Sequence, residues 1–193
     1  VHAQEFRSGI EVKFPVMVFD VKTKTEPRWF YADQTEKAII AQIGIEYDLL
    51  QNLELSAGFR HFAMMDFHKG EIERIDDEDK TRYTLDAGWQ TDRVENDIKL
   101  ENRVRWQKVL SNDGEHKMYI RERFGFDYKI SKEFAPTIAT EVYYHLKENK
   151  ITTYRLYLGN DIEIGNSGLE FSYIFEFNPG KTDKKSYYIL GIG

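Results

Sequence analysis

The sequence predicts an all-β protein folded as a single antiparallel up-and-down transmembrane β-barrel of about ten strands. Three observations predict it. Apolar and polar residues alternate with a period of two along most of the chain, the spacing that sends successive side chains to opposite faces of a strand. Aromatic residues make up 15% of the composition, with 12 Tyr and 13 Phe, types that strands favour. The larger aromatics of the apolar face also gather near the ends of the alternating runs, and a soluble core has no reason to sort them there.

At 193 residues the chain is expected to form one domain, residues 4–193. It opens Val1-His2-Ala3, a small-residue triplet of the kind a signal peptidase reads. Residues 1–3 are therefore expected to be a signal-peptide remnant and Gln4 the mature start, against the competing reading of a chance tripeptide. The first strand is placed in residues 5–24, with Phe6, Ile10, Val12 and Phe14 on one face. Pro15 and the run Val16–Phe19 interrupt it with a bulge or an early exit. Residues 16–37 receive no further placement.

From residue 38 the pattern is clear. Ile39, Ala41, Ile43, Ile45, Tyr47 and Leu49 alternate with Ile40, Gln42, Gly44, Glu46 and Asp48. After Leu50-Gln51-Asn52 it restarts with Leu53, Leu55, Ala57 and Phe59, a β-hairpin signature. Further runs follow at 82–89, 97–106, 118–128, 134–144, 154–164, 169–177 and 185–193. Leu50–Asn52, Thr91–Val94, Ser131–Glu133 and Gly165–Gly168 read as tight turns. Ala63–Lys80, Leu110–Glu115, Lys147–Lys150 and Pro179–Lys184 read as longer, more polar loops. Short turns on one rim and longer loops on the other suggest an outer-membrane barrel with periplasmic turns. Counting strands from there puts both termini in the periplasm. Tyr188, Leu190 and Ile192 alternate toward the end, and a final aromatic after Gly193 would complete the closing strand of such barrels.

Alternation alone leaves open which face is inside. In a soluble barrel or sandwich the apolar face is the core; in a membrane barrel it meets lipid. Tyr47, Trp89, Tyr128 and Phe134 fall at periplasmic strand ends; Tyr83, Trp106, Tyr144, Tyr154 and Phe177 fall at extracellular ends. These read as the two aromatic girdles of a lipid interface. The opposite face carries Arg60, Arg82, Arg103, Arg105, Arg121, Arg123 and Arg155, with Glu101, Glu141 and other carboxylates among them. Repeated Arg with carboxylates suggests an interior network in which forked guanidinium pairing satisfies desolvated charge. The competing reading is a solvated outer face.

The stretch Glu101-Asn102-Arg103-Val104-Arg105-Trp106, followed by Arg121-Glu122-Arg123, resembles a family of uncharacterised bacterial outer-membrane β-barrels, domain of unknown function 2490. The hairpin YDLLQNLELSAGFR (47–60) and the strands from Tyr154 resemble it too, so the likeness covers residues 38–193. It implies an outer-membrane barrel but supplies no substrate and no catalytic residues to carry over.

Function classes narrow by exclusion. A net charge of −6 argues against a nucleic-acid binder. The absence of Cys removes disulfides and thiolate metal sites. No phosphate-binding loop, zincin motif or nucleophile elbow occurs. No catalytic residue, cofactor or metal is expected. Asp76-Asp77-Glu78-Asp79 reads as a solvated acidic run rather than a cation loop. His61, His68, His116 and His145, with Ser111 and Asp66, map to the extracellular half, but nothing in the sequence brings a base to a nucleophile. Asn102 and Glu122 break the apolar face and are expected nearly opposite each other on neighbouring strands.

The expectation is an integral outer-membrane barrel of a Gram-negative bacterium, with a charge-filled, closed or narrow lumen and a structural or accessory envelope role. Its partners would be outer-membrane lipid and, during biogenesis, the barrel-assembly machinery. The alternatives are a narrow channel for small anionic solutes and an outer-rim hydrolase acting on lipid or peptide. A soluble exported barrel is the reading that the girdles oppose.

Overall fold

In a computed structural model the alternating runs become one antiparallel sheet. The structure describes residues 5–7, 10–30, 36–68, 71–74, 79–91, 97–131, 134–164, 167–179 and 184–192. Its strands are β1 (Glu5–Arg7), β2 (Ile10–Val16), β3 (Phe19–Phe30), β4 (Glu36–Leu50), β5 (Leu53–His68), β6 (Glu71–Arg74), β7 (Lys80–Gln90), β8 (Ile98–Ser111), β9 (His116–Tyr128), β10 (Ala135–His145), β11 (Lys150–Ile164), β12 (Ser167–Phe177) and β13 (Lys184–Ile192). Ten of them, β3 to β5 and β7 to β13, run up and down in chain order, each antiparallel to the next. β1 and β2 both pair with β3, and β6 pairs with the end of β5. The described residues include no helix.

The amino-terminal part differs from the expected single strand over 5–24. The chain runs through β2, turns at Met17-Val18, and returns as β3, which is the true neighbour of β4. Met17 makes that turn with a positive φ of 57° and stands almost wholly in solvent. The apolar run Val16–Phe19 therefore wraps a turn rather than filling a strand. β3 escaped the sequence pattern because its residues alternate charge with threonine (Lys22, Thr23, Lys24, Thr25), which leaves little apolar contrast. Pro15 sits in β2, which pairs with β3 alone, so its missing N–H interrupts no ladder on the far side.

The termini do not share a rim. Glu5 pairs with Phe30, at the end of β3 away from the Gln51-Asn52 turn, while Ile192 pairs with Leu169 on the same rim as that turn. The expected contrast in connection length also holds only in part. Turn 51–52 is tight, and Ser131 and Ile130 close theirs by donating backbone N–H to the Phe134 carbonyl. The connection at 91–97 is not tight, and on the other rim 112–115 and 146–149, though longer than 51–52, are shorter than it. Both rims use polar residues to close hairpins, so polarity was a poor guide to length.

Register fixes the faces. Arg60 stands opposite Arg82, Arg105 opposite Asp86 and Arg121, Arg103 opposite Arg123, and Glu141 opposite both Arg123 and Arg155. Directly opposed residues share a face, so all seven arginines lie on one side of the sheet. The other side carries Ile43, Ile45, Leu55, Leu85, Val104, Ile120, Phe124, Ile138, Leu156 and Leu158, every one of them exposed. At the sheet's two ends β1 comes alongside β13, Cα atoms within 8 Å, though no hydrogen-bonded register joins them among the described residues. This geometry is consistent with a barrel. The charged face is not charged throughout: Ala38, Ile40 and Met64 are buried on it, near the rim of the longer β4–β5 ends.

Candidate functional site

The charged face holds two linked networks. The first is built on β10, where alternation buries Ala139, Glu141, Tyr143 and His145 in succession. Glu141 accepts Nε and Nη2 of Arg121 at 3.1 and 2.5 Å and the Tyr157 hydroxyl at 2.6 Å. Arg121 also donates Nη1 to Oε1 of Gln107 at 2.9 Å. Arg155 donates Nε to Glu176 at 2.7 Å, reaches the Tyr143 hydroxyl with Nη1, and lies 3.8 Å from Glu141. The Tyr143 ring has Arg121 and Arg155 over it, at 4.5 and 4.7 Å from the centroid. A tyrosine there neutralises no charge, but its π-face and hydroxyl both favour guanidinium. Arg123 stacks on Tyr157 at 5.0 Å and lies 3.3 Å from Glu101.

The second network surrounds a cavity of about 280 Å3 lined from β2 to β8. Arg105 grips Asp86 with both ends of its fork, Nε to Oδ1 at 2.5 Å and Nη2 to Oδ2 at 2.9 Å. Lys22 pairs with Glu46 at 2.6 Å. Arg60 donates to Gln42, a neutral acceptor. Arg82 lies over the Phe62 ring at 4.9 Å and makes no hydrogen bond or ion pair among the described residues; its Nε is buried without an acceptor. Arg103 lines the same cavity but stays exposed.

All seven predicted arginines, Glu101 and Glu141 are thus brought onto one face, with Arg121, Arg155 and Glu141 in the tighter network and Arg60, Arg82, Arg103 and Arg105 around the cavity. Sequence reasoning did not single out Gln107, Tyr143 or Tyr157. The signal was present in their parity, since each lies two residues from a charge of the network on its own strand, but a tyrosine at such a position reads as neither apolar nor charged.

Eight of the nine residues predicted for the girdles fall by register on the apolar face, and Phe134 precedes β10. Trp89, Tyr128 and Phe134 are exposed at or beside strand ends on the rim of the 51–52 turn, and Tyr47 lies edge-near Phe19 at 5.5 Å. Tyr83, Tyr154 and Phe177 are exposed toward the other rim, where Tyr154 stacks on Phe177 at 6.4 Å. Tyr144 is half-buried next to the end of β10 and donates its hydroxyl to Asn149. Trp106 departs from the pattern: it stands opposite Leu85 and Ile120, inside β8 rather than at its end. Asn102 and Glu122 do meet on this face, by a hydrogen bond of 3.3 Å, but diagonally, because Asn102 is opposite Phe124 and Glu122 opposite Val104.

A family described as "Protein of unknown function (DUF2490)" matches residues 9–187. The chain belongs to this family. The match starts well before residue 38, so β2 and β3 are part of the family's domain although the motifs that carried the resemblance lie beyond them. No curated protein and no solved structure matches the chain.

In this DUF2490 protein His61, His116 and His145 stand on three different strands, β5, β9 and β10. His61 has Nδ1 3.3 Å from Thr81 Oγ1 and Nε2 3.7 Å from Asp79. Asp79 is buried and accepts the Met64 N–H at 3.0 Å, which assigns it to holding the loop against β5; the remainder of the acidic run, 76–78, lies outside the described residues. His145 is buried edge-on to Tyr119 at 4.8 Å and accepts the Glu148 backbone N–H at Nδ1, 3.1 Å. Glu148, in the 146–149 turn, is held below the usual carboxylate range by its hydrogen bond to the Lys150 ammonium. His116 stands opposite Leu110, and the side chains of Asp66 and His68 lie outside the described residues, as do residues 1–3.

Proposed function

We propose that this DUF2490 protein is an integral β-barrel of the Gram-negative outer membrane, with a closed or very narrow lumen and a structural or accessory role in the envelope. One observation carries the reading: the faces are inverted relative to a water-soluble fold. Ile43, Phe124 and Ile138 are 50%, 48% and 50% exposed, whereas the Arg121 and Glu141 side chains are 12% and 5% exposed. In water that arrangement would leave a sheet-wide apolar surface unmatched, far beyond what soluble monomers present. In a bilayer the same surface faces hydrocarbon, and the paired charges fill a lumen that about ten strands leave only slightly wider than one packed solid. Aromatic residues near both rims favour the same setting.

Fractionation tests it. The full chain, expressed with an export signal, is expected in the outer-membrane fraction, resistant to alkaline extraction and soluble only in detergent. A chain that stays folded in the aqueous fraction without detergent would refute the proposal.

The cavity on β5, β7 and β8 favours a second reading, a narrow channel for small anions, because Arg82 faces it without a carboxylate. Planar-bilayer recordings separate the two. Conductance steps with anion selectivity support the channel; a silent bilayer with verified insertion supports the closed barrel.

A further inference from the structure

We propose that the cavity binds a free small oxyanion, of the phosphate or sulfate class, seated on the Arg82 guanidinium. The inference deepens the channel reading and rests on this face being enclosed. Its starting point is that Arg82 has no counter-charge among the described residues. It faces Arg60 directly across the β5–β7 ladder, and like charges in that position repel. Arg60, Arg121 and Arg105 all act on it as like charges. Each of those has an acceptor of its own: Arg60 has Gln42, Arg105 has Asp86, and Arg121 has Glu141. Arg82 has Phe62, whose ring lies 4.9 Å from the guanidinium carbon and neutralises nothing.

Four carboxylates line the cavity, Glu11, Glu46, Glu54 and Asp86, and none forms an ion pair with Arg82. Asp86 is taken by Arg105 and by the Ser56 hydroxyl at 3.3 Å, and Glu46 by Lys22. An enclosed guanidinium with a free Nε is a poor end state, because a desolvated charge is tolerated only when paired. An oxyanion supplies what is missing. Its oxygens match the planar fork, and the cavity of about 280 Å3 has room for the ion with water. A halide lacks the two-oxygen geometry and would gain only the charge term.

The test uses the full chain folded in detergent micelles, titrated with inorganic phosphate and, separately, sulfate, against chloride at equal ionic strength. Calorimetry is expected to show saturable uptake of one oxyanion per chain, and the unfolding temperature to rise with phosphate but not with chloride. Arg82→Gln is expected to weaken binding about tenfold or more, the loss of charge-assisted hydrogen bonds, while Arg82→Lys retains part of it. Lys117→Gln, at an exposed ion pair near a turn, is expected to bind as the parent does. A second readout guards against misfolding. Without phosphate Arg82→Gln is expected to be at least as stable as the parent, since an unmatched buried charge is gone; with saturating phosphate the order reverses. Absence of saturable uptake, equal effects of chloride, or parental binding by Arg82→Gln would overturn the proposal. So would lower stability of that variant in phosphate-free buffer. The two readings fail separately: a chain that folds without detergent and still binds phosphate sinks the membrane proposal alone, and an inserted barrel that binds none sinks this site alone.

Discussion

Replacing Glu141 by alanine asks whether the charged face is enclosed. The carboxylate is 5% exposed and accepts three hydrogen bonds, two from Arg121 at 3.1 and 2.5 Å and one from Tyr157 at 2.6 Å. On a solvated sheet such a pair is worth about 0–1 kcal/mol, because water screens both charges and replaces the lost bonds. Enclosed, the loss is larger. Arg121 remains charged with only 12% of its side chain exposed, and Gln107 becomes its sole hydrogen-bonding acceptor. Breaking one partner out of a buried pair costs about 3–5 kcal/mol. Glu141→Gln, which keeps one acceptor oxygen and loses the charge, is expected to fall between, at about 1.5–3 kcal/mol.

The assay is urea unfolding in phospholipid vesicles, followed by fluorescence of the protein's 3 Trp. The cycle is completed with Arg121→Met and the Glu141→Ala/Arg121→Met pair. If the face is enclosed, the double variant recovers much of the single loss, since removing both charges leaves none stranded. A loss below about 1 kcal/mol for Glu141→Ala, with no recovery in the double variant, would refute an enclosed network.

Three further outcomes are expected. Leu156→Arg, on the exposed apolar face, should cost about 2–4 kcal/mol in vesicles if that position meets the bilayer interior; near-zero cost would place it in water. Gly125→Ala puts a Cβ 2.5 Å from Glu101 Cγ and 2.6 Å from its Oε1, so Glu101 must leave its place near Arg123. The expected loss of about 1–3 kcal/mol in the same unfolding assay should largely vanish when Glu101→Ala is added. Met17→Gly removes a side chain that is 98% exposed from a left-handed turn position at φ 57°. Relief of strain worth about 1 kcal/mol, partly offset by glycine's greater chain entropy, should leave the variant as stable as the parent or slightly more so; a clear loss would count against the β2–β3 turn.

Much of the fold was legible because its signal is local. Where a strand alternates apolar with charged residues, as in β4, β5 or β9, parity alone assigns each side chain a face, and pairing with the next strand only has to respect it. That is why the seven arginines and Glu141 could be placed together before any register was known. β3 failed the same test because Thr23 and Thr25 stand where an apolar residue would have announced a face. Tyr143, Tyr157 and Gln107 were missed for a related reason. They are amphipathic or neutral, and only the cross-strand partner shows whether the ring or the hydroxyl is being used.

What parity could not supply is the register, and register decides the chemistry. Three pairs of arginines stand directly opposite one another: Arg60 and Arg82, Arg103 and Arg123, Arg105 and Arg121. Taken alone each pair is repulsive. Two of the three are relieved by carboxylates brought in from a neighbouring strand or by a diagonal step: Asp86 and Glu141 for Arg105 and Arg121, Glu101 for Arg123. Shift β8 by two residues against β9 and the alternation would look the same, yet Arg121 would stand opposite Arg103 or Gln107, and the network around Glu141 would have to be rebuilt. In the Arg60–Arg82 pair, Arg82 has a ring beside it and no described carboxylate. An evenly compensated lumen would argue for packing alone; the uneven compensation at this pair is what separates a plugged barrel from one with a place for an anion.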